Sequence, residues 1–77
     1  MERHWLRQIR EGKGYTQHQV GKFSGTSRHY ISMIELGIRR PSVEVAKRIA
    51  SVLGFDWTLF FEEPRHSSKI KKAKREG

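Results

Sequence analysis

The sequence predicts an all-α fold, one compact domain of five short helices, and three features of its 77 residues carry that expectation. Apolar residues recur three and four positions apart in successive short windows, the spacing that lines one face of an α-helix. Glycine, proline and hydroxyl residues fall between those windows, where helices stop and start. Within Gln17–Leu36, QHQVGKFSGTSRHYISMIEL, two windows flank a glycine and a hydroxyl pair, so two helices fold back on each other across a tight turn.

The first helix is expected from Glu2 to about Glu11, with Trp5, Leu6 and Ile9 as its apolar stripe and Arg3, Arg7, Gln8 and Glu11 on the solvated side. Gly12-Lys13-Gly14 reads as a helix ending and connector, since its spacing fits neither a Walker loop nor a dinucleotide fingerprint. Thr16 and Gln19 make a T-x-x-Q capping box for the second helix, which leaves Gln17 and His18 in a first turn whose amides point outward. Val20, Ser24, Ile31 and Ile34 fall where the second and third helices would meet, and Gly21 lets their backbones approach. Gly25 supplies the turn, and the Thr26-Ser27 hydroxyls are available to the free amides of the next helix.

The third helix is expected from Ser27 or Arg28 to Leu36, closed by Gly37. Tyr30, Ile31 and Ile34 take its buried side, so Ser27 at its start and Arg28, His29, Ser32 and Met33 along it are left outward. A bidentate donor, an imidazole, a hydroxyl and a thioether on one face suit base edges and thymine methyls in a major groove. A phosphate contact is the rival role for Arg28, and a half-buried core position the rival for Met33. Gly37 to Pro41 is a loop carrying Arg39 and Arg40. Ser42 caps a fourth helix, Val43 to Leu53, whose apolar face is Val45, Ala46, Ile49, Ala50, Val52 and Leu53; Gly54 stops it. Phe55 fits a Schellman contact, and Asp56 caps a last helix from Trp57 to about Glu62, in which Leu59 and Phe60 finish the core. Trp57 and Phe61 are surplus to so short a helix and are candidates for a subunit contact.

The stretches LRQIRE at 6–11, YTQ at 15–17, SRHYISMIE at 27–35, RRPS at 39–42 and LGFDWTLFF at 53–61 together resemble the DNA-binding domains of the lambdoid phage repressor and Cro family, the XRE-type bacterial regulators. The resemblance implies a lambda-repressor-like helix-turn-helix over residues 1–63 that reads the major groove of double-stranded DNA with the helix at 27–36. It further implies phosphate contacts from Arg10, Gln17, Arg39 and Arg40, an ion pair between Arg10 and Glu35, and a homodimer joined near Trp57 and Phe61. Such a dimer would take an operator with approximate two-fold symmetry. Thr26 stands where the family's turn often has valine, and Phe23 where a solvated polar residue is usual; Phe23 covers the core rim or meets a partner.

The formal charge of +8 suits a polyanionic partner but is unevenly spread. Residues 1–64 hold ten Lys and Arg against seven acids, whereas 65–77 hold six against one. The stretch 64–77 is therefore expected to be a disordered basic tail that adds phosphate contacts or serves only solubility. No cysteine is present, and the histidines at 4, 18, 29 and 66 lack metal-ligand spacing, so no metal site or cofactor is expected. Nothing points to catalysis. The charged amino end and the shortness of the apolar run Phe55–Phe61 argue for a cytoplasmic protein. These features together predict a sequence-specific DNA-binding transcriptional regulator, a phage-type or bacterial repressor. The rival is an antitoxin that binds its own promoter and neutralises a toxin through Trp57, Phe61 and the tail. An RNA-binding or membrane-surface module fits less well, for want of an aromatic platform or an amphipathic basic helix.

Overall fold

Helix follows helix along the chain: α1 His4–Gly12, α2 Gln17–Phe23, α3 Arg28–Glu35 and α4 Val43–Leu53, then a 3-10 turn Trp57–Phe61. The computed structural model describes residues 2–62, so the basic stretch 64–77 lies outside the described residues. Among the described residues there is no strand, and no helix is long and apolar enough to cross a membrane.

Local chemistry sets most of the boundaries. Thr16 Oγ1 accepts from the Gln19 amide at 3.1 Å while Gln19 Oε1 accepts from the Thr16 amide at 2.9 Å, the reciprocal box expected at the start of α2. Ser27 and Ser42 cap α3 and α4 through the amides of Tyr30 and Val45. All four helices end alike. A glycine at φ near 80° follows each, and the next amide reaches back to a carbonyl in the last turn, as Phe55 N–H does to Ala50 O at 3.1 Å. Such an ending reverses the chain while satisfying carbonyls that the helix leaves open. Thr26 does not cap α3. Its amide makes the corresponding bond to Gly21 O at 2.7 Å, and its hydroxyl lies 3.0 Å from Ser24 Oγ, inside the turn.

Leu6, Val20, Ile31, Ile34, Ala46, Ile49, Leu53 and Phe60 form the buried core. The expected seam between α2 and α3 is present: Val20, Ser24, Ile31 and Ile34 are all buried. Gly21 makes that seam possible, because a Cβ there would stand 2.6 Å from the Ser27 carbonyl carbon and 2.9 Å from the Arg28 nitrogen. Trp5, Phe55 and Phe60 meet with ring centroids 5.2–5.7 Å apart and tie α1 to the end of the described chain.

Four expectations are corrected. α1 starts at His4 rather than Glu2, and Arg3 is buried rather than solvated, since it precedes the helix and its periodicity does not apply to it. The last element is a 3-10 turn, not an α-helix. In that geometry residues three apart share a face, so Phe60 goes inward with Trp57 while Leu59 stays 37% exposed instead of finishing the core. Phe23 is 56% exposed and its ring meets that of Tyr15 in a T-shaped pair, centroids 5.9 Å apart.

Two consequences can be measured. Gly21→Val should lower stability by about 1–3 kcal/mol, because the added carbons meet the Ser27–Arg28 backbone rather than a movable side chain; a thermal or denaturant melt reads this. Asp56 accepts from the Thr58 amide at 3.0 Å and the Thr58 hydroxyl at 2.8 Å, which holds its carboxyl below the usual aspartate range. A carboxylate so depressed stabilises the fold fully above the unfolded pKa of about 3.9 and loses that effect as pH falls through the folded value. The stability difference between the parent and Asp56→Ala should therefore shrink below about pH 4, which melts across the acid range would show.

Candidate nucleic-acid interface

The centre of the site is a carboxylate on the last turn of α3. Glu35 Oε2 accepts from Arg10 Nε at 2.6 Å, and Oε1 accepts from Arg10 Nη2 at 3.2 Å and from Gln17 Nε2 at 3.0 Å. The Arg10 and Glu35 side chains are 11% and 5% exposed, so this bidentate pair works away from bulk water. Arg10 Nη1 also donates to the Tyr15 carbonyl at 2.9 Å. One cluster thus joins α1, the connector before α2, the first residue of α2 and the end of α3. Gln17 is held by Glu35 and remains half-exposed at the mouth of α2.

Beside this cluster a concavity of about 600 Å³ opens between α1, the start of α2 and α3, lined by Arg7, Gln17, His18, Arg28 and Ser32 among others. Ser27, Arg28 and His29 are exposed at the start of α3, and Ser32 and Met33 are half-buried one turn on. Of the expected reading residues the fold brings Arg28 and Ser32 to this concavity, and Ser32 and Met33 are set deeper than Ser27, Arg28 and His29. Neither Arg28 nor His29 has a side-chain hydrogen bond or ion pair among the described residues.

Arg10 differs from the other expected phosphate residues. Its three guanidinium nitrogens all bond within the protein, which ties α1 to the end of α3 and to the connector before α2. Arg39 and Arg40 are exposed on the loop after α3, their guanidinium carbons 5.9 Å from the Tyr30 ring centre and 5.1 Å from that of Phe61. Trp57 and Phe61 are half-buried, pack edge to face at 5.9 Å and are partly covered, Trp57 by the Lys47 ammonium at 5.1 Å. Arg3 is a residue of this region that the pattern of the sequence does not reveal. Its guanidinium donates to Ile34 O at 2.6 Å and Arg39 O at 2.9 Å, and no periodicity signals this, because Arg3 lies outside the helix.

A helix-turn-helix family model matches residues 6–60, from the first turn of α1 to the 3-10 turn. The chain belongs to the XRE-type helix-turn-helix family. As a member of it, the protein is a DNA-binding regulator, and α2 and α3 are its helix-turn-helix pair. An uncharacterized HTH-type transcriptional regulator of Bacillus subtilis, YqaF, is 51% identical over 73 residues, covering 90% of this chain and 96% of its own. The HTH-type transcriptional regulator SlrR of the same organism is 36% identical over 58 residues, 74% of this chain but 38% of SlrR. An uncharacterized HTH-type regulator of Mycobacterium tuberculosis is 30% identical over 74 residues, 90% of this chain and 53% of its own. No solved structure matches.

Glu35→Ala in this XRE-type domain would leave the Arg10 guanidinium buried without its carboxylate and remove the acceptor of Gln17. The loss should be about 3 kcal/mol, as for breaking other buried pairs from one side. Chemical denaturation measures it; a change below about 1 kcal/mol would place the pair with solvated surface bridges.

Proposed function

We propose that the protein is a sequence-specific transcriptional repressor that lays α3 in the major groove, with Ser27, Arg28, His29, Ser32 and Met33 facing base edges. The observation that carries this reading is the division of labour among its arginines. Arg3 and Arg10 are buried and bonded to the protein, whereas Arg28 projects from the reading face with its donors uncommitted. An arginine in that state matches guanine O6 and N7, the commonest specific contact. Gln17 at the start of α2, with Arg39 and Arg40 beyond α3, bracket the reading face and grip phosphates on either side of the groove.

The protein acts as a homodimer. Trp57 and Phe61 supply part of the contact, together with Leu59, whose outward position in the same 3-10 turn adds apolar surface. Two copies so joined place their recognition helices about 34 Å apart and require an operator with approximate two-fold symmetry. Repression then follows from occlusion of the promoter in the cytoplasm.

The experiment begins with sites selected from random duplex DNA, followed by titrations on selected, singly substituted and random duplexes at several salt concentrations. Arg28→Ala should lose about 1–3 kcal/mol on the selected site and lose discrimination at one base pair in each half-site. Replacing both Arg39 and Arg40 by alanine should weaken all duplexes alike and reduce the slope of log affinity against log salt by about 0.9 for each phosphate no longer neutralised. If Arg28→Ala weakens every duplex equally, Arg28 is a phosphate anchor and the reading passes to the other residues of the face.

A further inference from the structure

Arg3 precedes α1, yet it is as well buried as the Arg10–Glu35 pair. Its main-chain N–H donates to the Glu35 carbonyl at 2.7 Å. A single guanidinium nitrogen, Nη1, then donates to two carbonyls from different elements, Ile34 O at 2.6 Å and Arg39 O at 2.9 Å. The guanidinium carbon lies 5.8 Å from the centre of the Phe60 ring, which closes the site on the core side. Ile34 and Glu35 belong to the last turn of α3, where carbonyls lack partners within the helix and the helix dipole is negative. A cation there is favoured on both counts. Arg39 belongs to the basic loop. The loop is also bonded from its other side, since the Ile38 and Arg39 amides both donate to Met33 O, at 3.0 and 3.3 Å.

We propose that Arg3 is a positioning residue of the interface: by bridging the Ile34 and Arg39 carbonyls it fixes the Arg39–Arg40 loop against the end of the recognition helix. Its effect on DNA rests on the reading of Arg39 and Arg40 as phosphate contacts. Arg3 itself is buried and acts through the loop, not by touching nucleic acid. A loop held in its bound geometry binds without first losing conformational freedom, so loosening it costs affinity even though both arginines remain. The stretch before α1 thereby helps to set the phosphate spacing that the chain can grip.

Arg3→Met keeps much of the apolar stem and removes the donors. In the free protein, amide hydrogen exchange at Ile38 and Arg39 should quicken at least about 10-fold while the Val20 and Ser24 amides are unchanged. On DNA, Arg3→Met should weaken binding by about 10-fold in the parent but have no further effect once Arg39 and Arg40 are both alanine, because coupled residues are not additive. Unchanged exchange at Ile38 and Arg39 overturns the proposal. So does an affinity loss of equal size in both backgrounds, which would mark Arg3 as a general structural residue. The exchange measurement needs no DNA, whereas parental affinity after both arginine replacements would refute only the phosphate reading, so the two failures are distinguishable. Should Arg3→Met not fold, Arg3→Leu, which also lacks donors and has a shorter stem, is read at the same two amides with the same criteria.

Discussion

A buried carboxylate governs this domain. Glu35 sits at the end of the helix that faces outward, and it can be buried only because Arg10 and Gln17 supply three hydrogen bonds to it. Removing a charge from water is costly unless it is paired and its lone pairs are occupied, so the arrangement constrains all its participants at once. α1 cannot rotate without moving Arg10, and α2 cannot slide without moving Gln17. The orientation of α3 is therefore set by two neighbouring elements through one residue, and the exposed side chains at its start are carried on a fixed support. The apolar seam of Val20, Ile31 and Ile34 supplies cohesion, whereas the polar cluster supplies geometry.

The two ends of α3 carry different kinds of charge. At its start Arg28 and His29 project with their polar atoms unbonded among the described residues; at its end Glu35 is buried, and Arg3 closes the terminal carbonyls. This polarity suits a helix whose first turn engages a ligand and whose last turn anchors it to the protein. The basic loop is continuous with the anchored end. Its two guanidinium groups rest over the Tyr30 and Phe61 rings, so the positions of Arg39 and Arg40 depend on the interior as well as on the loop backbone.

Much of this is legible in the sequence where the governing chemistry is local. The limits of α4, the capping box of Thr16 and Gln19, the cap at Ser42 and the tight approach at Gly21 each follow from one residue type at one position. The Arg10–Glu35 pair spans 25 positions and is reached through resemblance to a family, not through pattern. Periodicity misplaces Arg3 because a residue just before a helix obeys tertiary contacts rather than helical spacing, and Leu59 because a 3-10 turn shifts each side chain around the axis relative to an α-helix. A hydroxyl before a helix commonly caps it, yet Ser27 already occupies that role and Thr26 bonds within the turn instead. For the interface, the sequence identifies which side chains lie on one face of α3 but not how deeply each sits.

The four glycine endings bear on how the chain reaches this state. Each reversal of direction is closed by a bond between residues five apart, so the corners of the fold are specified within single short segments. The loop-closure entropy of such corners is small, and most of what remains is the docking of preformed turns through nearby partners. A helical domain assembled in this way belongs with proteins of low contact order, which fold in microseconds to milliseconds. The long-range steps include the joining of Arg10 to Glu35, the bonding of Arg3 to Ile34 and Arg39 and the seating of Phe60 beneath Trp5, which bring together parts of the chain that the turns alone leave apart.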